Sequence, residues 1–522
     1  MSKIRLRFAP SPTGFLHIGS LRTALFNYLI AKNLGGKLIL RIEDTDQKRE
    51  VKGATEKLIA ILDWLGIKFD EGPVINAHST SLASSSRRAN CTHPNLKEIG
   101  KHGPYIQSQR IDIYQKYANE LIKKGEAYYC FCTPERLDKM RQEQQEKKQP
   151  PKYDRHCRDL SEQEVKKLLK LGKKYVIRQK MPLAREIEVI DELRGKINFK
   201  AQDLEDHVLM KSDGRPTYQL ASVVDDYLMK ISHVVRGEEW IPSFPKNVLL
   251  YKSFGWPVPK FIHTPLILNK EGGKLSKRQG DVAVEDYRAK GYLPAALINF
   301  CALLGWHPKD NNEIFSLFKL EKEFNFKHIG TSPAIFDTAK LDYFNGYYIR
   351  QMDLDKLVSL CRPYLEKTQK HLPRQIFGKA GKNTKTDYAN YIKKIIALEQ
   401  ERLKKISEIG ELTEFFFVDK LNYPADLLIW KKMAEVDVKK NLQKIEELLS
   451  VIPEKNWTND SIEDDLISYI KAKNAKVGEY LWPMRVALTG QKASPGPFEV
   501  AEILGKNESL KRIKDAIKVI KI

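Results

Sequence analysis

In the stretch RFAPSPTGFLHIGSLRTALFNYLIAK, from Arg7 to Lys32, two prolines, two glycines and a histidine separate a short apolar segment from a long amphipathic one. No other feature of the chain narrows its possible folds as far. Ile4–Phe8 reads as a short buried strand, and Leu21, Leu25, Tyr28 and Leu29 recur at helical spacing. A Gly35-Gly36 turn then leads into a second strand, KLILRIED. Strand, glycine-containing turn, helix and strand make a βαβ unit, whose chemistry sits at the C-terminal ends of the strands. Arg7, Ser11, His17 and Glu43 all fall there.

The composition of the loop gives it a task. Its prolines stiffen the approach, Gly14 and Gly19 permit close backbone approach, and the helix start behind them offers free N–H groups to an anion. This is a phosphate site, although neither G-x-x-x-x-G-K-[ST] nor G-x-G-x-x-G is present. His17 stands at the helix entrance, where an imidazole either hydrogen-bonds a triphosphate as charge develops on it or simply caps the helix. A second segment, GGKLSKRQGD from Gly272 to Asp281, reads as a mobile basic loop suited to closing over a polyphosphate. Either signal alone is weak. In this order the pair is strong.

At 522 residues the chain exceeds the size of one growing core, so several domains are expected. Lysine and arginine outnumber aspartate and glutamate by 89 to 67, a balance of +22. Such a field attracts polyanions, nucleic acid first among them, but a lysine-rich proteome produces the same number. Charged residues reach 30%, and no apolar run is long enough to span a bilayer. MSKIRLRF lacks the apolar stretch of a signal peptide, so a soluble cytoplasmic protein is expected.

Beyond the first unit, Val51 to Leu65 reads as an amphipathic helix, and the serine-rich stretch between Pro73 and Gly103 as a long surface loop. DIYQKYANELIKKG is a helix closed by glycine, and LMKSDGRPTYQLASVVDDYLM returns to α/β character around a D-G turn. After about Pro294 helical spacing dominates. The architecture is an N-terminal α/β half, interrupted by an insertion, then a helical half.

These residues resemble the class I aminoacyl-tRNA synthetases, with HIGS as the HIGH motif and KLSKR as the KMSKS motif. The likeness sharpens to glutamyl-tRNA synthetases of the bacterial and organellar type through RIEDTD, DGRPTYQLASVVDD, VVRGEEW and LDYFNGYYIR. It implies a Rossmann-type α/β catalytic domain with an inserted acceptor-binding subdomain, followed by an all-α anticodon-binding region. The implied boundaries place the first catalytic half at 1–110, the insertion at 111–205 and the second half at 206–255. The KMSKS loop and stem-contact domain follow at 256–350, and the anticodon-binding domain at 351–522.

Glutamate carries two carboxylates and an ammonium, so its pocket needs guanidinium groups and an acid. By resemblance Arg7 and Arg236 hold carboxylates, Glu43 takes the ammonium, and Ser11, Tyr218 and Trp240 complete the pocket. Ser222 stands where the family often has asparagine. The implied reaction activates L-glutamate with ATP and passes the acyl group to the terminal ribose of tRNA(Glu). His17, Lys274 and Lys277 would stabilise the transferring phosphates with Mg²⁺, and Gly14, Gly19, Glu239 and Ser276 would help hold ATP. A monomer with no membrane partner is expected.

Cys130 and Cys132 form a C-x-C pair, and Cys157 follows after twenty-four intervening residues. Some family members bind zinc with that pair followed by C-x-H; here Asp159 holds the histidine's position and His156 precedes Cys157. Three thiolates with either residue make a donor set for structural Zn²⁺; idle thiols are the alternative. In the helical half, 369–385 carries five basic residues and no acid, as an RNA-facing loop or a solvated insert. Arg485 is a candidate anticodon contact, with Trp482 nearby read as core packing. The alternatives are a non-catalytic tRNA-binding paralogue, a nucleotidyltransferase with a small-molecule acceptor, and a synthetase that also charges tRNA(Gln).

Overall fold

The computed structural model describes residues 4–46, 51–76, 96–273, 275, 283–369 and 384–520. They form two compact units, 1–288 with 294–341 and 289–293 with 342–522.

The first unit is built on parallel strands. β1 (Arg5–Phe8) pairs with β2 (Lys37–Leu40) from Arg5↔Lys37 to Phe8↔Leu40. On the far side of β2, Glu71 forms a parallel bridge to Ile39. On the other side of β1, the Ser232 amide donates to the Arg5 carbonyl at 2.9 Å, just before β10 (His233–Gly237). β10 in turn pairs with β11 (Lys260–Thr264), Arg236 opposite His263. After β1 the chain therefore turns to one side through α1 (Ile18–Asn33), while β10 lies on the other. That is a topological switch point, and a crevice opens at the strand ends between them.

Sequence explains these elements locally. β1 is buried along its whole length, as a parallel strand covered on both faces must be. α1 buries Leu21, Ala24, Leu25, Phe26, Leu29 and Ile30 and so lies deep in the core. The turn after it is demanding, because a Cβ on Gly36 would come within 2.6 Å of the Ile4 side chain and 2.7 Å of its carbonyl. Only glycine lets β2 lie this close to β1.

The expected boundaries at 111–205 cut across the packing. α3 (Ile111–Lys123) buries Tyr114, Ala118 and Leu121 in the same core as Val223 and Val234. β7 (Glu186–Asp191), paired antiparallel with β8 (Gly195–Lys200), bridges to β11 at Phe261↔Asp191. Between these lie α4 (Pro134–Glu146), α5 (Glu162–Lys170) and an antiparallel sheet of β5 (Ala127–Cys130), β6 (Val176–Gln179) and β9 (Val208–Met210). The serine-rich stretch also departs from a plain loop: β3 (Gly72–Ile75) and β4 (Leu96–Ile99) pair antiparallel, four residues each being too short to show a period. Its middle, 77–95, lies outside the described residues.

The second unit has no strand among its described residues. In the helix Glu435–Ser450, Val438, Leu442, Ile445 and Leu449 form one buried stripe, and Met484, Leu488, Ile513 and Ala516 are buried on its neighbours. Arg485 donates to the Pro495 carbonyl at 3.0 Å and Trp482 to the Leu427 carbonyl at 2.9 Å, so both serve the fold. Nearly all of 369–385 is outside the described residues. No described helix is long and apolar enough to cross a membrane.

Candidate active site

At the crevice, β1 supplies Arg7 and β10 supplies Arg236. Arg7 is buried, and its Nε donates to Asp226 Oδ1 at 3.0 Å. Arg41 reaches the same oxygen with Nη1 at 2.6 Å and holds Glu43 Oε1 with Nη2 at 2.9 Å. Burial, the largest single influence, would lower the Arg7 pKa, but Asp226 together with Tyr218 and Glu43 offsets it and keeps the guanidinium above its ordinary value. Burial would likewise lift Asp226, and Arg7 and Arg41 reverse that and hold it low. In Glu43 burial prevails over Arg41 and Arg7, and its carboxyl is raised.

Beneath this pair lies Asp225, which accepts from Arg110 Nε at 2.7 Å, Tyr114 at 2.8 Å and Gln107 at 2.9 Å. Both aspartates end α6 (Tyr218–Leu228), and each is buried with at least two donors, as buried charge requires. The network ties α6, α3 and β1 into one rigid floor. With Nε engaged by Asp226, the two Nη groups of Arg7 have no protein partner among the described residues.

Arg236 is held differently. Its Nε donates to His263 Nε2 at 3.0 Å, and both Nη groups reach Asn247 Oδ1 at 3.2 Å. Since Nε2 accepts, the neutral His263 ring carries its proton on Nδ1, which donates to Asp191 Oδ2 at 2.7 Å. Burial pushes the His263 and Arg236 pKa values down. Arg236 is 6% exposed yet has no carboxylate partner among the described residues. A buried guanidinium held only by neutral groups is a site for an anion.

Tyr218 and Trp240 flank it, their rings 4.6 Å apart, with Arg236 5.9 Å from the Trp240 ring. Ser222 is buried, and its hydroxyl donates at 3.4 Å to the Gln219 carbonyl of its own helix. Ser11 and Glu239 are exposed, the latter in the turn after β10.

His17 caps α1, its Nδ1 accepting from the Gly19 amide at 3.1 Å. The cap and the phosphate role are compatible: with Nδ1 occupied, the neutral ring carries its proton on Nε2 and is a donor there. Gly14 has φ 150°, and a Cβ there would meet nothing within 4 Å, so the loop is open at this point. The segment following the basic loop returns to the same place. His17 bridges to Ala283, and the Val284 amide donates to the Leu16 carbonyl at 2.8 Å. Before the loop, the Gly273 amide donates to Asn269 Oδ1 at 2.7 Å. Lys274, Ser276 and Lys277 lie outside the described residues.

Away from the crevice, the Sγ atoms of Cys130, Cys132 and Cys157 all lie within 4.8 Å of one another. Asp159, the expected fourth ligand, is exposed and outside the cluster, as is His156. The group between the thiols is the Tyr153 hydroxyl, 3.2 Å from Cys130 Sγ and 3.5 Å from Cys132 Sγ, which also accepts from the Cys157 amide at 3.2 Å. Hydrogen bonds from Cys132, Cys157 and Tyr153 hold the Cys130 thiol well below its usual pKa. Sequence reading missed Tyr153, Arg41, Asp226, Asn247 and His263; adjacent buried acids in VVDD were the one available signal.

The family described as tRNA synthetases class I (E and Q), catalytic domain, matches residues 3–343, and an anticodon binding domain matches 356–517. A glutamate–tRNA ligase of Clostridioides difficile is 43% identical over 520 residues, covering 98% of each chain. One of Clostridium novyi is 45% identical over 523 residues, with 99% of this chain and 98% of the relative covered. Among solved structures, a glutamate tRNA ligase from Elizabethkingia meningosepticum in complex with its amino acid superposes with a TM-score of 0.82 at 36% identity, covering 99% of this chain and 100% of the other.

Proposed function

The chain belongs to the glutamate–tRNA ligases among the class I tRNA synthetases, and from that membership we propose how its crevice serves the reaction. Arg236 and Arg7 hold the carboxylates of L-glutamate, and Glu43 holds its ammonium. Tyr218 and Trp240 wall the site, with Ser11 and Ser222 at its edge. The observation that carries this reading is Arg236, buried without an ion-pair partner among the described residues, so that a carboxylate of glutamate would complete its contacts.

In the first step a carboxylate oxygen of glutamate attacks the α-phosphorus of ATP, and pyrophosphate leaves. In the second, a ribose hydroxyl at the 3′ end of tRNA(Glu) attacks the acyl carbonyl, and AMP leaves. Gly14, Gly19 and the N-terminus of α1 receive phosphate, His17 donates to it through Nε2, and Glu239 places the nucleotide. Lys274, Ser276 and Lys277 act from the loop that begins after Gly273. Mg²⁺ accompanies ATP as a further positive charge on the phosphates. The Cys130, Cys132 and Cys157 thiolates with the Tyr153 oxygen supply four donors at one point and suit a closed structural Zn²⁺ site. The enzyme acts as a monomer in the cytoplasm, where ATP and tRNA are supplied. Aminoacylation of purified tRNA(Glu) with radiolabelled glutamate tests the reading: charging lost in Lys277→Ala supports it. Full charging by that variant would remove the loop from the mechanism.

A further inference from the structure

The catalytic sheet has a second cleft at its opposite edge. A cavity of about 1280 Å³ opens where β1, β2, β10 and β11 begin, and its inner end reaches Asp226 beneath the crevice. Most small-molecule sites occupy roughly 300–1,000 Å³, so there is room for a ligand. Lys101, Lys230 and Lys327 line it, all exposed, and none has a carboxylate partner among the described residues. Of the four acids in the same cleft, Asp70 is exposed and accepts from the Leu38 amide, Glu192 lies 3.5 Å from Lys260, and the other two are held by arginines. Glu71 takes both Nη groups of Arg5, at 2.8 and 3.0 Å, and the Tyr105 hydroxyl at 2.7 Å. Asp226, at its inner end, is held by Arg7 and Arg41. The remaining field is positive and favours an anion.

Two further observations point to an occupant. Tyr251, also lining the cleft, is 1% exposed, and its hydroxyl has no hydrogen-bond partner among the described residues. Such a group is costly to leave unpaired. Lys230 follows α6 at φ 57°. Tyr227, stacked on Trp256 at 3.9 Å, supplies an aromatic wall.

We propose that this cleft is a second ligand site, for a small molecule bearing an oligophosphate. The phosphates lie among Lys101, Lys230 and Lys327, and the rest of the molecule extends along Tyr227 toward Tyr251. The site is independent of the reading given to the crevice. Full-length protein labelled with 5-fluorotryptophan carries one reporter for each place, Trp256 beside the cleft and Trp240 in the crevice, assigned from the spectra of Trp256→Phe and Trp240→Phe. Titration with inorganic tripolyphosphate is expected to shift the Trp256 resonance saturably. The double variant Lys101→Ser, Lys230→Gly is expected to weaken that shift at least tenfold without lowering the melting temperature. GTP binding tenfold tighter than tripolyphosphate assigns the occupant to nucleotides; equal affinities assign it to the phosphates alone. A shift at Trp240 only, no shift at either, or a Trp256 response unchanged in the double variant overturns the proposal.

Discussion

Arg7 and Arg41 converge on a single oxygen of Asp226, at 3.0 and 2.6 Å. The shared acceptor sets the position of both guanidinium groups, and Arg41 passes the constraint on to Glu43. Groups assigned to opposite charges of the amino acid are thereby fixed by one carboxylate. Asp226→Asn removes that charge and leaves two buried cations short of a partner. We expect a stability loss of about 3 kcal/mol in urea unfolding and a rise of at least about tenfold in the KM for glutamate. An unchanged KM would show that the network serves folding alone.

Arg236 should behave in the opposite way. It has no ion-pair partner among the described residues and burial lowers its pKa, so Arg236→Met is expected to leave the melting temperature unchanged or raise it. The KM for glutamate should rise roughly a hundredfold, measured by aminoacylation. Loss of stability together with retained activity would assign Arg236 to the core.

The helical unit carries a pH-sensitive group. Burial raises the Glu399 carboxyl to about 7 against the pull of Arg402, whose Nη1 lies 2.8 Å away. Between the ordinary carboxylate range and about 7, the folded state holds a proton that the unfolded chain has released. Stability from this group is therefore full at low pH and lost as pH rises through that window. Glu399→Gln should change little at pH 5 and add about 2 kcal/mol at pH 8, as denaturant titrations at the two pH values would show.

Metal analysis of the purified protein should find about one zinc per chain. Tyr153→Phe is expected to weaken its retention against a chelator by at least about tenfold, whereas Asp159→Asn should leave it unchanged. The reverse pattern would restore Asp159 as the ligand. Zinc-free protein with an unaltered melting temperature would make the three thiols a packing feature.

What could be read from the sequence follows from the range of each interaction. The phosphate loop, α1 and β2 are adjacent in the chain, so turn chemistry and helical spacing display them directly. The residues that hold the site are distant: Arg7 meets Asp226 across 219 positions, and His263 reaches Asp191 across 72. Such pairings leave no period in a single chain. Asp159 shows the converse, since spacing placed it near the thiols while the turn around Arg155, at φ 62°, leaves it exposed and sets Tyr153 among them. That α3 shares one core with both Ala127 and Val234 is likewise not legible, because a helix reads the same whichever core its apolar stripe enters.

The bonds that return the chain from the basic loop to His17 set a concentration. Nine residues, 274–282, run between Gly273 and Ala283, and Ala283 is bridged to His17. At roughly 3.5 Å per residue they cannot carry a side chain much more than about 30 Å from that anchor. One ammonium group confined to such a sphere is present at roughly 10 mM. In the proposed mechanism Lys274 and Lys277 would meet a bound triphosphate as if it were bathed in millimolar amine, and an external amine offered to Lys277→Ala would have to reach that range before it could substitute.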